Sequence, residues 1–217
     1  MDNQNSLEYQ LAPFFELNGV ITSDQASMLI DDANERGWEE GRVVLTGDVA
    51  GDDFRSTLSV VEPDEIRKTT RSVKTSLIEP TPENVWLYDI IYNAGMFVNT
   101  TTYRFGIFEL ECIQLLKYNE VTNDHYTWHS DECICSSDML KQRKLSCSIA
   151  LNDATNYEGG VLQISNQQSD EIANSKHHLG KVGNATFFPS FMRHRVTPVT
   201  KGTRYSIVTW FIGPRWI

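Results

Sequence analysis

From about residue 103 onward the chain is written in short β-type segments, and few folds can be built from such a run. "FGIFELECIQLLKY", "RKLSCSIALN", "GGVLQIS", "NATFFPS", "HRVTPV" and "TRYSIVTWFIG" are rich in β-branched and aromatic residues, with turn residues between them. So many short strands within about 110 residues close on themselves as a sandwich or barrel of jelly-roll type. The N-terminal half has a different period. In "TSDQASMLIDDANERGW", Thr22 and Gln25 have capping-box spacing, Ala26, Leu29, Ile30 and Ala33 form one stripe, and Gly37 is the stop. A second helix is predicted at "TPENVWLYDIIYNAGMF", with Thr81 as cap, Pro82 at the first helical position and Trp86, Ile90, Ala94 and Phe97 as its core stripe. The glycine- and aspartate-rich "VVLTGDVAGDDFRS" between them reads as a loop. The expectation is an α+β, mainly β chain: a jelly-roll core with N-terminal helices packed on one outer face as a support.

Composition limits the partners. A chain of 217 residues can bury a sizeable core as one large domain or two small ones, and its 40% hydrophobic and 22% charged residues are ordinary for a globular protein. No apolar run is long enough to span a bilayer, and the polar "MDNQNSLEYQ" is not a secretory signal, so a soluble, cytoplasmic protein is expected. A net charge of −10 argues against general nucleic-acid binding. The basic runs "KQRK" (141–144) and "RHR" (193–195) read as solvated faces. Cys112, Cys133, Cys135 and Cys147 match neither a zinc ribbon nor a CxxC pair, and reduced thiols are expected, with Cys133 and Cys135 inert in a loop. The sequence sets no oligomeric state.

The chemistry concentrates in "HYTWHSDE". A strand places residues i and i+2 on one face, so an extended stretch points His129 and Asp131 the same way. His194 is a third candidate ligand, and two His with one carboxylate on a face of iron(II) leave three positions open. His177 and His178 lie in a polar loop, and His125 has a helical rather than a strand spacing to His129. Further on, Arg204, Ser206, Val208 and Trp210 alternate with Tyr205, Ile207, Thr209 and Phe211. Both sets are bulky, so this strand is predicted to be buried on both sides. A buried arginine calls for a fixed anion. Two readings stand at this point: a ligand carboxylate held by the guanidinium fork with Ser206 beside it, or an internal Asp or Glu.

Taken in order, these motifs resemble the iron(II)/2-oxoglutarate-dependent dioxygenases, most closely the prolyl 4-hydroxylase-like branch. "YTWHSD" matches its Tyr-x-x-His-x-Asp, "YEGGVLQI" its Gly-Gly-x-Leu strand, and "FPSFMRHRVTPVTKGTRYSIVTW" its His-x-Val-x-Pro-Val-x-x-Gly-x-Arg segment. The good match covers about residues 113–213. The resemblance implies a double-stranded β-helix (jelly-roll) core and one oxygenase domain over residues 1–217, with 1–102 as helical support and loop region and 103–217 as catalytic core. It implies that His129, Asp131 and His194 bind Fe(II) and that Arg204, with Ser206, clamps the distal carboxylate of 2-oxoglutarate. Tyr118 would contact that cosubstrate, and Val196 and Trp210 would line its pocket. Tyr126, three residues before His129, falls on the opposite face of a regular strand and reads as packing. Collagen-type members carry lysine where this chain has Arg204, which places the resemblance nearer bacterial and viral types. The implied reaction consumes 2-oxoglutarate and O2, with ascorbate as reductant, and hydroxylates a prolyl residue in a peptide or protein, giving succinate and CO2. Loops 39–56 and 132–140 are the candidate substrate loops. Rival readings are an oxygenase of a small molecule such as a free amino acid, a zinc hydrolase, and a non-catalytic jelly-roll binding module. The Arg204-x-Ser206 pair argues against the hydrolase, and the intact triad against the module.

Overall fold

The computed structural model describes residues 12–41, 69–132, 140–165, 172–174 and 180–215. His177, His178, Cys133, Cys135 and most of the two candidate substrate loops lie outside the described residues. In chain order the elements are β1 (Phe15–Leu17), α1 (Ser23–Arg36), β2 (Glu39–Glu40), β3 (Arg71–Ser72), β4 (Lys74–Ile78), α2 (Val85–Val98), β5 (Glu109–Leu110), β6 (Ile113–Asn119) and β7 (His125–His129). They continue with β8 (Lys141–Ala150), β9 (Tyr157–Gly159), β10 (Leu162–Ser165), β11 (Ile172–Asn174), β12 (Ala185–Pro189), β13 (His194–Val196) and β14 (Val199–Pro214).

The strands form two antiparallel sheets. The larger runs β1-β12-β8-β14-β6-β4-β2, with β5 and β9 also paired to β14, and the smaller runs β11-β10-β13-β7-β3. This is the expected mainly β architecture, a double-stranded β-helix carrying helices. The long strand β14 lies between β8 and β6 and is buried on both faces, as its sequence predicts. Ile207 and Phe211 join α1 and α2 in one core, and Val208 joins the core between the sheets with Tyr118, Leu162, Ile164 and Val196.

The N-terminal half is less helical than its sequence suggests. The segment 71–78 is extended, with Arg71 and Ser72 paired to β7 of the smaller sheet and Lys74 to Ile78 paired to β6 of the larger one. Val73, buried at the crossing, packs in the core between the sheets. Helix α1 agrees with its sequence signals. Gln25 N–H donates to Thr22 Oγ1 at 3.2 Å, Thr22 N–H donates to Gln25 Oε1 at 2.8 Å, and Ala26, Leu29 and Ala33 are buried.

Helix α2 differs in start and in facing. It begins at Val85 rather than Pro82. The Asn84 side chain accepts the Thr81 N–H at 2.8 Å and donates to the Glu79 carbonyl at 2.7 Å, which closes residues 82–84 into a turn. The buried stripe is Leu87, Ile91, Gly95 and Val98. Trp86, Ile90 and Ala94 pack at its margin, and Phe97 is 55% exposed. Both stripes have helical spacing, and the sheet decides between them. A Cβ on Gly95 would stand 1.9 Å from Phe211 Cζ, so only the glycine face admits that ring.

The run "KQRK" is also corrected. It opens β8, and Gln142 and Lys144 are buried. Acidic residues across the sheet receive its cations: Arg143 forks onto Glu111 at 2.6 and 2.7 Å, and Lys141 reaches Glu109 at 3.0 Å. In "RHR", His194 is buried and Arg195 donates to Gln163 at 2.7 Å. Among the described residues, no helix is long and apolar enough to cross a membrane.

The contact of Gly95 with Phe211 can be tested by overpacking it. Gly95→Ala gains roughly 1 kcal/mol of helix propensity. An inserted methyl in a full contact costs about 1–3 kcal/mol. A net fall in melting temperature is expected, and Gly95→Ala with Phe211→Leu should recover it. Calorimetry of the three proteins makes the comparison, and a single variant as stable as the parent would contradict the packing.

Candidate metal centre

His129 ends β7 and His194 opens β13, and the two are directly opposite in the antiparallel register. Asp131 lies two residues past His129, where its N–H donates to the Ser190 carbonyl at 2.9 Å. That bond pins the chain beyond β7 to the turn after β12. One ligand atom from each of His129, Asp131 and His194 falls within 4.8 Å of the others. His129 Nε2 is 3.6 Å from Asp131 Oδ1, and His194 Nε2 is 3.4 Å from Asp131 Oδ2.

Each imidazole is held by its other nitrogen. His129 Nδ1 is 2.8 Å from the Thr127 carbonyl, and His194 Nδ1 is 3.0 Å from the Met192 carbonyl. A carbonyl only accepts, so Nδ1 carries the proton in both rings and Nε2 turns a lone pair inward. Two lone pairs and a carboxylate thus converge at short range, a donor set that suits a divalent cation. Burial pushes the His129 imidazole down to about 3, with His194 acting in the same direction. For Asp131, burial would raise the carboxyl, but the imidazoles when protonated, with the Arg143 guanidinium and the Trp210 hydrogen bond, outweigh it and hold the group below its ordinary range.

The site surroundings carry two features that the sequence hides. Tyr126 stacks on His129, with ring centroids 3.5 Å apart and planes 16° apart, rather than facing away. The ladder shifts between the His194–His129 and Val196–Tyr126 pairs, and this irregularity turns Tyr126 inward. Burial pushes its phenol up to about 12, and the Arg71 guanidinium sits 4.8 Å from its ring centroid. The second feature is the grip on Asp131. Ser146 Oγ donates to Asp131 Oδ2 at 2.8 Å, and the Trp210 indole N–H bonds the same carboxylate. Ser146 and Trp210 are cross-strand partners. The Arg143 guanidinium lies 3.6 Å from the Trp210 ring centroid.

Arg204 and Ser206 are 2% and 0% exposed, and Arg204 Nη1 donates to Ser206 Oγ at 3.0 Å. Tyr118 is opposite Arg204 across the ladder, its ring centroid 5.2 Å from the guanidinium. Gly160, at φ +60°, gives the Arg204 stem its path, since a Cβ there would stand 2.8 Å from Arg204 Cδ. Val196 is buried in the core between the sheets together with Tyr118. Trp210 lies at the Asp131 end of the strand, where it bonds that carboxylate. The structure therefore brings Tyr118, Arg204 and Ser206 together at one end and His129, Asp131, His194 and Trp210 together at the other. Ser146 was not singled out from sequence, but the alternation of Ser146 and Ser148 with Leu145, Cys147 and Ile149 is a readable signal of a polar inner face.

A sequence model described as the 2OG-Fe(II) oxygenase superfamily matches residues 113–212, which hold all eight of the site residues read from sequence. That stretch, just under half of the chain, is similar to the 2OG-Fe(II) oxygenase superfamily. Among similar curated proteins is a PKHD-type hydroxylase of Psychrobacter sp. (strain PRwf-1), 38% identical over 88 residues, which are 39% of this chain and 32% of that protein. A PKHD-type hydroxylase of Shewanella sp. (strain MR-7) is 22% identical over 204 residues, covering 90% of this chain and 76% of its own. For the first of these, the chain spans about a third of the relative's length. Among solved structures, a Pseudomonas putida prolyl-4-hydroxylase superposes with a TM-score of 0.64 at 16% identity, covering 94% of both chains. A Trichoplax adhaerens prolyl hydroxylase, solved with a hypoxia inducible factor oxygen degradation domain peptide fragment, gives 0.65 at 15% identity over 92% of this chain and 83% of its own. At such identities the likeness is one of fold, that of the 2OG-Fe(II) oxygenases.

The state of His129 makes the stability of this chain depend on pH. In the unfolded chain the imidazole takes up a proton near its ordinary 6.5, and in the folded chain it resists down to about 3. The unfolded state therefore binds more protons between those limits, and stability falls as pH drops through that window. Urea midpoints of the metal-free protein should decline from about pH 7.5 to about pH 4.5, and His129→Gln should lessen that decline. Equal slopes for parent and variant would contradict a buried neutral imidazole.

Proposed function

We propose that this chain is an iron(II)- and 2-oxoglutarate-dependent dioxygenase that hydroxylates a prolyl residue in a peptide or protein, with succinate and CO2 as co-products. The observation that carries the reading is the convergence of His129, Asp131 and His194 donor atoms within 4.8 Å, with both Nδ1 protons committed to carbonyls. The prolyl substrate is supported by the prolyl hydroxylases that share the fold. The whole chain acts as one oxygenase domain, because α1, α2 and β14 share a single core. The free thiols Cys112 and Cys147 suit a reducing, cytoplasmic setting.

Iron(II) with 2-oxoglutarate and O2 supplies the oxidising chemistry, one oxygen atom passing to succinate and one to a substrate C–H bond, and ascorbate serves as reductant. His129, Asp131 and His194 would hold the metal, the two imidazoles through their Nε2 lone pairs and Asp131 through its carboxylate. Arg204, with Nη1 fixed on Ser206, receives the distal carboxylate of the cosubstrate, and burial strengthens that fork by excluding water. Tyr118 and Val196 wall this end of the pocket. Trp210 orients the metal carboxylate. Tyr126, stacked on His129, forms the side toward which Arg71 leans.

Two measurements test the reading. Incubation of the parent with iron(II), 2-oxoglutarate, ascorbate and a panel of prolyl peptides should release succinate and add the mass of one oxygen to a peptide. Turnover of a free amino acid instead would transfer the reading to a small-molecule substrate. Truncating one partner of a buried charge-assisted pair costs roughly 2–5 kcal/mol. Arg204→Ala should therefore raise the 2-oxoglutarate requirement about 30-fold or more, with iron binding retained. Arg204→Lys keeps the charge without the fork and should be partly active. An unchanged 2-oxoglutarate titration with a lowered melting temperature would make Arg204 a structural group.

A further inference from the structure

The chain of hydroxyls behind the metal carboxylate has a direction. Ser146 and Ser190 are 2% and 0% exposed, with their Oγ atoms 3.0 Å apart. Ser146 has one hydroxyl proton, and it donates that proton to Asp131 Oδ2 at 2.8 Å. Ser190 must then be the donor in the bond between the two serines. The relay runs Ser190 Oγ–H to Ser146 Oγ–H to Asp131 Oδ2, and each donor polarises the next. Ser190 also accepts the Asp131 N–H on its carbonyl, and its own N–H donates to the Lys144 carbonyl at 3.0 Å. One turn thus braces Asp131 at its backbone directly and at its carboxylate through Ser146.

The two hydroxyls come from β8 and from the turn after β12, neighbouring strands with Phe188 paired to Ser146. Asp131 lies past the end of β7, in the other sheet, where no ladder holds it. Without the relay, the Trp210 indole N–H would be left as the remaining restraint on its side chain about χ1 and χ2. We propose that Ser146, backed by Ser190, is a positioning residue that holds the Asp131 carboxylate in its metal-binding orientation. By engaging Oδ2 it disfavours capture of the metal by both carboxylate oxygens, which would occupy a position needed by cosubstrate or oxygen. The proposal rests on the reading of His129, Asp131 and His194 as the metal site.

Cobalt(II) provides a probe that needs no turnover, because its visible absorption reports both occupancy and coordination number. Parent, His129→Ala, Ser146→Ala, Ser146→Thr and Ser190→Ala are titrated with cobalt(II), and their metal-free melting curves are recorded. Loss of a group that orients a ligand typically weakens metal binding by about 10–100-fold. Ser146→Ala should show that loss and an altered cobalt spectrum, Ser146→Thr should restore both, and Ser190→Ala should show a smaller loss. A Ser146→Ala protein that melts lower but binds cobalt(II) with the parent's affinity and spectrum overturns the proposal. If Ser146→Ala does not fold, Ser190→Ala decides alone, and parental affinity and spectrum in that variant are equally adverse. A parent that takes up no cobalt(II) overturns the metal-site reading and this one with it. A parent that binds, a His129→Ala that does not, and a Ser146→Ala equal to the parent overturn this proposal only.

Discussion

The register of β14 is the constraint on which both halves of the protein depend. This strand is hydrogen-bonded to β8 and β6 and buried on both faces. One face sends Ile207 and Phe211 against the helices, and the other carries Arg204, Ser206 and Trp210 into the site. A slip of one residue would exchange the two sets. A guanidinium would then enter an apolar core, and the Tyr205 ring would take its place beside Tyr118. Folding and the assembly of the site are therefore one event, enforced by the cost of burying a charge in the wrong place.

Within the site, a single ionised group is surrounded by groups that favour its charge. Asp131 accepts from Ser146 and Trp210, faces two imidazoles, and lies near the Arg143 guanidinium. Arg143 is itself forked onto Glu111 and stacked on Trp210, so it firms the indole without placing a bare positive charge beside the metal ligands. The arrangement lets the carboxylate stay ionised in a buried place and fixes its direction at the same time.

Much of this was legible in the sequence because it depends on local spacing. The i, i+2 placement of His129 and Asp131 requires only an extended chain, the Thr22–Gln25 box requires only one turn, and the two-faced character of β14 follows from alternation. What was not legible depends on a distant partner. The facing of α2 is set by a ring on β14, and "KQRK" can open a strand because Glu109 and Glu111 across the sheet receive the half-buried Lys141 and Arg143. Tyr126 turns inward through a ladder irregularity that a period-two rule cannot foresee. Strands β3 and β4 are not legible for a related reason: β3 is two polar residues, β4 is five residues long, and their extended form has meaning only against β7 and β6.

The segment from Arg71 to Ile78 works as a rivet, because one continuous stretch is an edge partner to both walls of the β-helix. It lies outside the stretch from 113 to 212 that defines the superfamily by sequence. A fragment cut to that stretch would therefore keep every proposed ligand and yet leave β6 and β7 with bare edges. Unpaired edges recruit other strands. The boundary of the family match and the boundary of a well-behaved folding unit do not coincide in this protein, and the second must include at least the strands that begin at Arg71.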